Sequence, residues 1–148
     1  MKHFLSVLTV LLAAGMTHAQ FVNQAAEVPA FHPAPPKAGT LPPVLTQKQL
    51  ADQGLIAPAQ VAAYKAAAKS GSLVYQMPCY CYCDRGHGHT SLHSCFEGTH
   101  GAECSTCMQE SLYTYRQSKK GWSAKMIRDG ITRGDYKLLD LQNPEPVN

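Results

Sequence analysis

All six cysteines of this 148-residue chain lie between positions 79 and 107, as Cys79, Cys81, Cys83, Cys95, Cys104 and Cys107. His87, His89, His93 and His100, four of the seven histidines, are interleaved with them. Sulfur and imidazole donors at this density belong to metal ligation, disulfide formation or thiol exchange. Thiolate ligands favour Cu(I) and Zn(II) over Mg or Ca, so the expected cofactor is Zn or Cu. The expected ligands are Cys79, Cys81, Cys83, His89, Cys95, His100, Cys104 and Cys107, whereas His87 and His93 are read as exposed. Ten donors exceed one tetrahedral site, which leaves room for two ions or for a mixture of metal and disulfide.

Local spacing sharpens the chemistry. Cys79, Cys81 and Cys83 alternate with Tyr80 and Tyr82. In an extended strand that alternation projects the three thiols from one face and both rings from the other. Cys104-Ser105-Thr106-Cys107 stands where a helix is predicted to begin, and amides at a helix amino terminus stabilise a thiolate. Metal ligation and redox exchange are favoured alike by this placement. Met108, not His, follows Cys107, which excludes covalent haem attachment, and no βαβ pattern surrounds the pair to suggest a thioredoxin-like unit. His89 and His93 lie one turn apart if Thr90 caps a short helix. The spacing fits no nucleic-acid-binding zinc finger. Glu97, Glu103 and Glu110 flank the cluster, but no nucleophile and base can be paired, so no catalytic residue is assigned and enzymatic activity is left open.

Three functions follow. The first is an exported protein that handles or senses a soft metal ion, Zn or Cu(I). The second is thiol–disulfide exchange, because a Cys-x-Cys disulfide closes a small strained ring and strained disulfides are labile. Cys79, Cys81 and Cys83 would then exchange with Cys104 or Cys107. The third is a module stapled by three disulfides that meets a periplasmic protein partner through its Pro-rich arm.

The elements that must position these residues are helical. Thr46 can cap a helix through Gln53, closed by Gly54. Pro58 suits a first helical position, and the helix it opens runs to Lys69, with Val61, Tyr64, Lys65 and Ala68 on one face. Leu73 to Met77 reads as extended. Cys104 to about Ser118 has helical spacing, with Cys107, Met108, Ser111, Leu112 and Tyr115 as a face. Ser123 can cap a last helix, Ala124 to Arg133, in which Met126, Ile127 and Ile131 share a side and Gly134 is the stop. Gly130 within it weakens the helix by about 1 kcal/mol relative to Ala. The expected fold is mainly α: a small helical domain over residues 46–141, with a loop-rich Cys/His centre between two helix pairs. A domain of this size usually gains from a disulfide or metal staple.

The flanks are of another kind. Met1 to Ala19 has a positive start, an apolar run from Phe4 to Met16 and small residues before Gln20, the layout of a signal peptide cleaved after Ala19. The apolar run is shorter than the roughly 20 residues of a spanning helix. The mature chain is therefore expected in the periplasm or outside the cell, without a membrane span. Residues 20–45 hold six of the ten prolines and read as a semi-rigid tether, in which His32 is a solvated loop residue. Residues 142–148 read as a frayed tail. A formal charge of +3 with no basic run leaves no electrostatic footprint for nucleic acid.

The motifs resemble those of the CYCXC proteins, also described by a PCYCGC motif, exported bacterial proteins of largely unassigned function. The resemblance covers about residues 73 to 133. It is carried by Pro78-Cys79-Tyr80-Cys81-x-Cys83, Gly88-His89-x-Ser91-Leu92-x-x-Cys95-Phe96, His100-Gly101-x-x-Cys104-x-x-Cys107 and Ile127-Arg128. It implies that the cysteines, His89 and His100 are the site residues. Selenoproteins among the relatives imply thiol redox chemistry. Two departures stand out: many relatives resemble lipoproteins, yet this chain lacks a lipidated cysteine, and Tyr82 stands where the motif has the Gly that favours a tight turn.

Overall fold

The computed structural model describes residues 27–148; the expected signal peptide and the first residues of the Pro-rich segment lie outside the described residues. The fold is mainly α, as the spacing predicts, with no strand among the described residues. α1 (Gln47–Ala51) begins at Thr46, whose side chain accepts from the Gln49 amide while Gln49 accepts from the Thr46 amide. It is shorter than predicted and unwinds through a turn at Gly54, whose φ is 75°. α2 (Pro58–Lys69) has its predicted bounds, with Pro at the position where no amide donor is needed.

The stretch read as extended is instead a short helix, α3 (Gly71–Val74), and a further turn to Met77. With no neighbouring strand, its amides close onto the local carbonyls of Ser70, Gly71, Leu73 and Val74. α4 (Cys83–His87), a 3-10 helix (Leu92–Phe96) and α5 (His100–Glu103) carry the Cys/His stretch. α6 (Ser105–Lys119) and α7 (Ala124–Arg133) follow, and Asp135–Leu138 is a last 3-10 turn. Ser123 accepts from the Met126 amide at 3.3 Å and Gly134 takes the left-handed cap at φ 84°, so α7 starts and stops where predicted.

α2 packed on α6 is the centre of the molecule. The buried face of α2 is Ala59, Ala63, Tyr64, Ala66 and Ala67, and only Tyr64 of the predicted stripe belongs to it. Alanines allow close helix approach: the Ser111 hydroxyl of α6 donates to the Ala63 carbonyl at 2.8 Å. In so Ala-rich a helix, apolar periodicity cannot rank one face above another. Ile127 and Ile131 of α7 are buried, but Met126 is 49% exposed, against the predicted stripe. Gly130 is explained by its neighbour, because a Cβ there would collide with the Tyr113 hydroxyl.

Both flanks pack against the domain. The Ala30 amide donates to Asp84 at 2.9 Å, the His32 ring stacks on Tyr75 with centroids 3.9 Å apart, and the Arg128 guanidinium lies 4.6 Å over the Phe31 ring. Proline keeps this segment extended, and it lies along the domain as a strap. At the other end Val147 is buried, the Tyr115 hydroxyl donates to the Asn148 carbonyl at 2.6 Å, and Arg116 pairs with Glu145 at 3.1 Å. One apolar side chain and a local ion pair seat a segment whose prolines suggested fraying. Among the described residues no helix is long and apolar enough to cross a membrane.

Candidate metal centre

Three segments supply the donors. The first, Pro78 to Cys83, is a turn and not the strand that its alternation suggested. The Tyr82 amide donates to the Cys79 carbonyl at 3.0 Å, and the Arg85 amide to the Tyr82 carbonyl at 3.0 Å. Tyr82 takes φ 57° and ψ 34°, and among the described residues no other non-glycine has positive φ. The tight turn that glycine would favour is therefore made with tyrosine, at a cost of about 1–3 kcal/mol. The Tyr82 ring meets Tyr80 edge-on at 5.9 Å and lies 4.2 Å beneath the Arg85 guanidinium. It is the turn that converges the thiols, with Cys79 and Cys81 Sγ atoms 3.4 Å apart.

Glu110 holds this turn. It projects from α6, is wholly buried, and accepts from the Tyr80 amide at 2.9 Å. Burial raises its pKa well above the ordinary carboxylate range. Sequence reasoning passed over it as one of three flanking glutamates. The available signal was its register: three residues after Cys107 on α6, it shares that cysteine's face. Arg128 of α7 was also missed as a support. It donates to the Gln76 carbonyl at 3.0 Å, immediately before the turn.

The second segment is the loop from His87 to Phe96. The Leu92 amide donates to the Met77 carbonyl at 2.9 Å and ties the loop to the first segment. The 3-10 helix that starts at Leu92 buries Cys95, whose Sγ lies 3.3 Å from Cys83 Sγ and 3.3 Å from His89 Nδ1. Because no α-helix runs from Thr90, His89 and His93 are not stacked one turn apart. His93 is buried, not exposed as expected, and its Nδ1 lies 3.0 Å from Glu97. His87 is exposed, as read.

The third segment is α5 with the start of α6. Gly101 lets α5 sit against Cys95 and Phe96, since a Cβ there would lie 2.8 Å from the Cys95 carbonyl and 2.9 Å from the Phe96 ring. That approach sets His100, whose Nε2 is 3.9 Å from Cys81 Sγ. Cys104 is the residue before α6 and Cys107 lies in its first turn, at the predicted helix start, but both thiols are raised above the usual range and not lowered. Cys107 Sγ is 3.4 Å from Cys79 and 3.5 Å from Cys81.

All eight expected residues meet in one place. The donor atoms of Cys83, His89, Cys95 and His100 all lie within 4.8 Å of one another, as do those of Cys81, Cys104 and Cys107. Cys79 groups in the same way with Cys81 and Cys83, and with Cys95 and Cys107. The six cysteines are free. Two sulfurs bound to one tetrahedral zinc at about 2.3 Å stand about 3.8 Å apart, close to the spacing found here and far from the ~2.05 Å of a disulfide. Hydrogen bonds from Cys104, Cys107, Cys79 and Cys83 hold Cys81 far below the usual thiol range, while Cys107, bonded to Cys104, Cys79, Cys81 and Cys83, is pushed far above it. Full ionisation of so buried a set needs a cation. The cluster can hold a metal ion.

No curated protein matches the chain, and no solved structure does. A family model described as a protein of unknown function with PCYCGC motif matches residues 38–138, which spans the α1 cap, all eight donors and α7. The chain belongs to the PCYCGC-motif family.

Proposed function

We propose that this is an exported protein that binds two soft metal ions, Zn(II) or Cu(I), in a joined thiolate–imidazole centre, and that metal handling or sensing is its function. One ion takes Cys83, His89, Cys95 and His100. The other takes Cys79, Cys81, Cys104 and Cys107. The observation that carries this reading is that the donors of Cys83, His89, Cys95 and His100 lie within 4.8 Å of one another and those of Cys81, Cys104 and Cys107 do the same with no residue in common, while Cys79 groups both with Cys81 and Cys83 and with Cys95 and Cys107. A Cys79 thiolate is thus within reach of both ions.

The protein's own share in this chemistry is positioning. Glu110 and the left-handed Tyr82 hold the Cys79–Cys83 turn, and Gly101 sets His100. Export, with cleavage after Ala19, belongs to the same reading: in an oxidising compartment, bound metal is what keeps such crowded thiols from pairing. Thiol exchange is the second reading, favoured by the 3.3 Å approach of Cys83 and Cys95.

Intact mass of the mature protein, native and then denatured without reductant, separates the two. Two ion equivalents lost on denaturation, with all six thiols then free, is the expected result. A mass short by three pairs of hydrogens, with no metal, overturns it. One or two disulfides with leftover thiols would favour exchange.

A further inference from the structure

The set of Cys83, His89, Cys95 and His100 is layered. Cys83 and Cys95 are buried, whereas His89 and His100 are half-buried, as are Cys81 and Cys104 of the other set. An ion arriving at this set therefore meets imidazole before thiolate. Beside these two rings stands a third that neither set uses. His87 ends α4, is exposed, and has its ring centroid 4.6 Å from that of His100 and 5.7 Å from that of His89. The His89 and His100 ring centroids are 5.1 Å apart, so the three imidazoles form a closed triangle beside Cys95, whose Sγ lies 3.3 Å from His89 Nδ1. The backbone is built for it: Gly88 takes φ 67°, a conformation that reverses the chain and puts His87 and His89 side by side.

We propose that His87, His89 and His100 form a capture site for the incoming ion, Zn(II) or Cu(I), and that His87 hands the ion inward. This inference rests on the reading of Cys83, His89, Cys95 and His100 as a metal set. Imidazole suits both ions. In the transfer the bond from metal to the His87 nitrogen breaks as bonds to Cys83 and Cys95 sulfur form. Each thiol that joins releases its proton to water, and the oxidation state of the ion does not change. His89 and His100 keep their hold throughout, so the ion is never bare. His87 is then a transient ligand, absent from the final set and required for speed.

The experiment compares the wild type with His87→Ala, both as reduced, metal-free mature chain. Cu(I), delivered from a coloured chelator, is followed by stopped flow as the chelator colour is lost, and bound equivalents and competition affinity are read at the end. Capture makes the inward step intramolecular, so its loss is expected to slow uptake by about tenfold or more, with unchanged stoichiometry and affinity. His87→Cys, which restores a donor, is expected to recover most of the rate. Equal uptake rates with intact stoichiometry would overturn this inference and leave the two-ion centre standing. Loss of a bound ion in His87→Ala would also overturn it, because His87 would then be a permanent ligand. If the wild type takes up no Cu(I) in this assay and no Zn(II) in a parallel titration, both readings fall together.

Discussion

The two proposed ligand sets sit in contact, yet they differ in residue types and in what holds them. The four-thiol set rests on the start of a fifteen-residue helix, α6, and on a turn pinned by the buried Glu110. The mixed set hangs on a five-residue helix, a 3-10 turn and a four-residue helix, with two half-buried imidazoles at its mouth. Long elements with buried supports keep a geometry; short ones can exchange ligands at little cost. Within the proposed two-ion centre, the comparison favours holding by the four-thiol, inner set and exchange by the mixed, outer one.

Breaking the inner set should have the largest effect. Cys107→Ala removes a sulfur that is 3.4 Å from Cys79 and 3.5 Å from Cys81. The variant is expected to lose one ion equivalent outright and to lower the stability of the zinc-loaded protein by on the order of 5 kcal/mol. His100→Ala should also weaken one ion but leave the other resistant to chelator. Equal losses in the two variants, read by metal content and thermal unfolding, would erase the distinction between the sets.

Gly101→Ala tests the outer set from behind. A methyl at that position meets the Cys95 carbonyl and the Phe96 ring, so α5 must move and His100 with it. Overpacking of this kind costs about 2 kcal/mol in urea unfolding of the metal-free chain. Metal competition should show the outer ion weakened and the inner ion nearly unaffected.

The smallest effect is expected at Tyr82→Gly. Relief of the left-handed strain outweighs the added freedom of the unfolded chain, for a gain of about 0.5 kcal/mol in denaturant unfolding of the apo form. A loss of stability greater than about 1 kcal/mol would mean that the Tyr80 and Arg85 contacts of the ring outweigh the strain. That outcome would make the turn, in this chain, a product of its side-chain packing.

What could be read in advance followed a physical rule. The bounds of α2 and α7 were legible because Pro58, Ser123 and Gly134 act within one turn of themselves. The burial of α2 was not, since six alanines share the helix with Val61 and only the arrival of Ser111 and its neighbours on α6 decides which of them is covered. His93 was misread for a similar reason. Its exposure depends on whether Thr90 or Leu92 starts the helical turn, and the Leu92 amide is claimed by Met77, fifteen residues earlier in the chain.

By itself the sequence determined the donor chemistry, since cysteine and histidine carry their ligand preferences wherever they are placed, and it determined the helices whose caps are local. It also placed Cys104 and Cys107 at a helix start, a feature of a few adjacent residues. Only the tertiary structure decided that the eight donors meet, that a tyrosine would make the left-handed turn, and that Glu110 and Arg128 would hold it. These depend on which segments meet across thirty or more positions of chain, as Glu110 meets Tyr80 and Arg128 meets Gln76. Spacing along a sequence carries no distance between segments until packing brings them together.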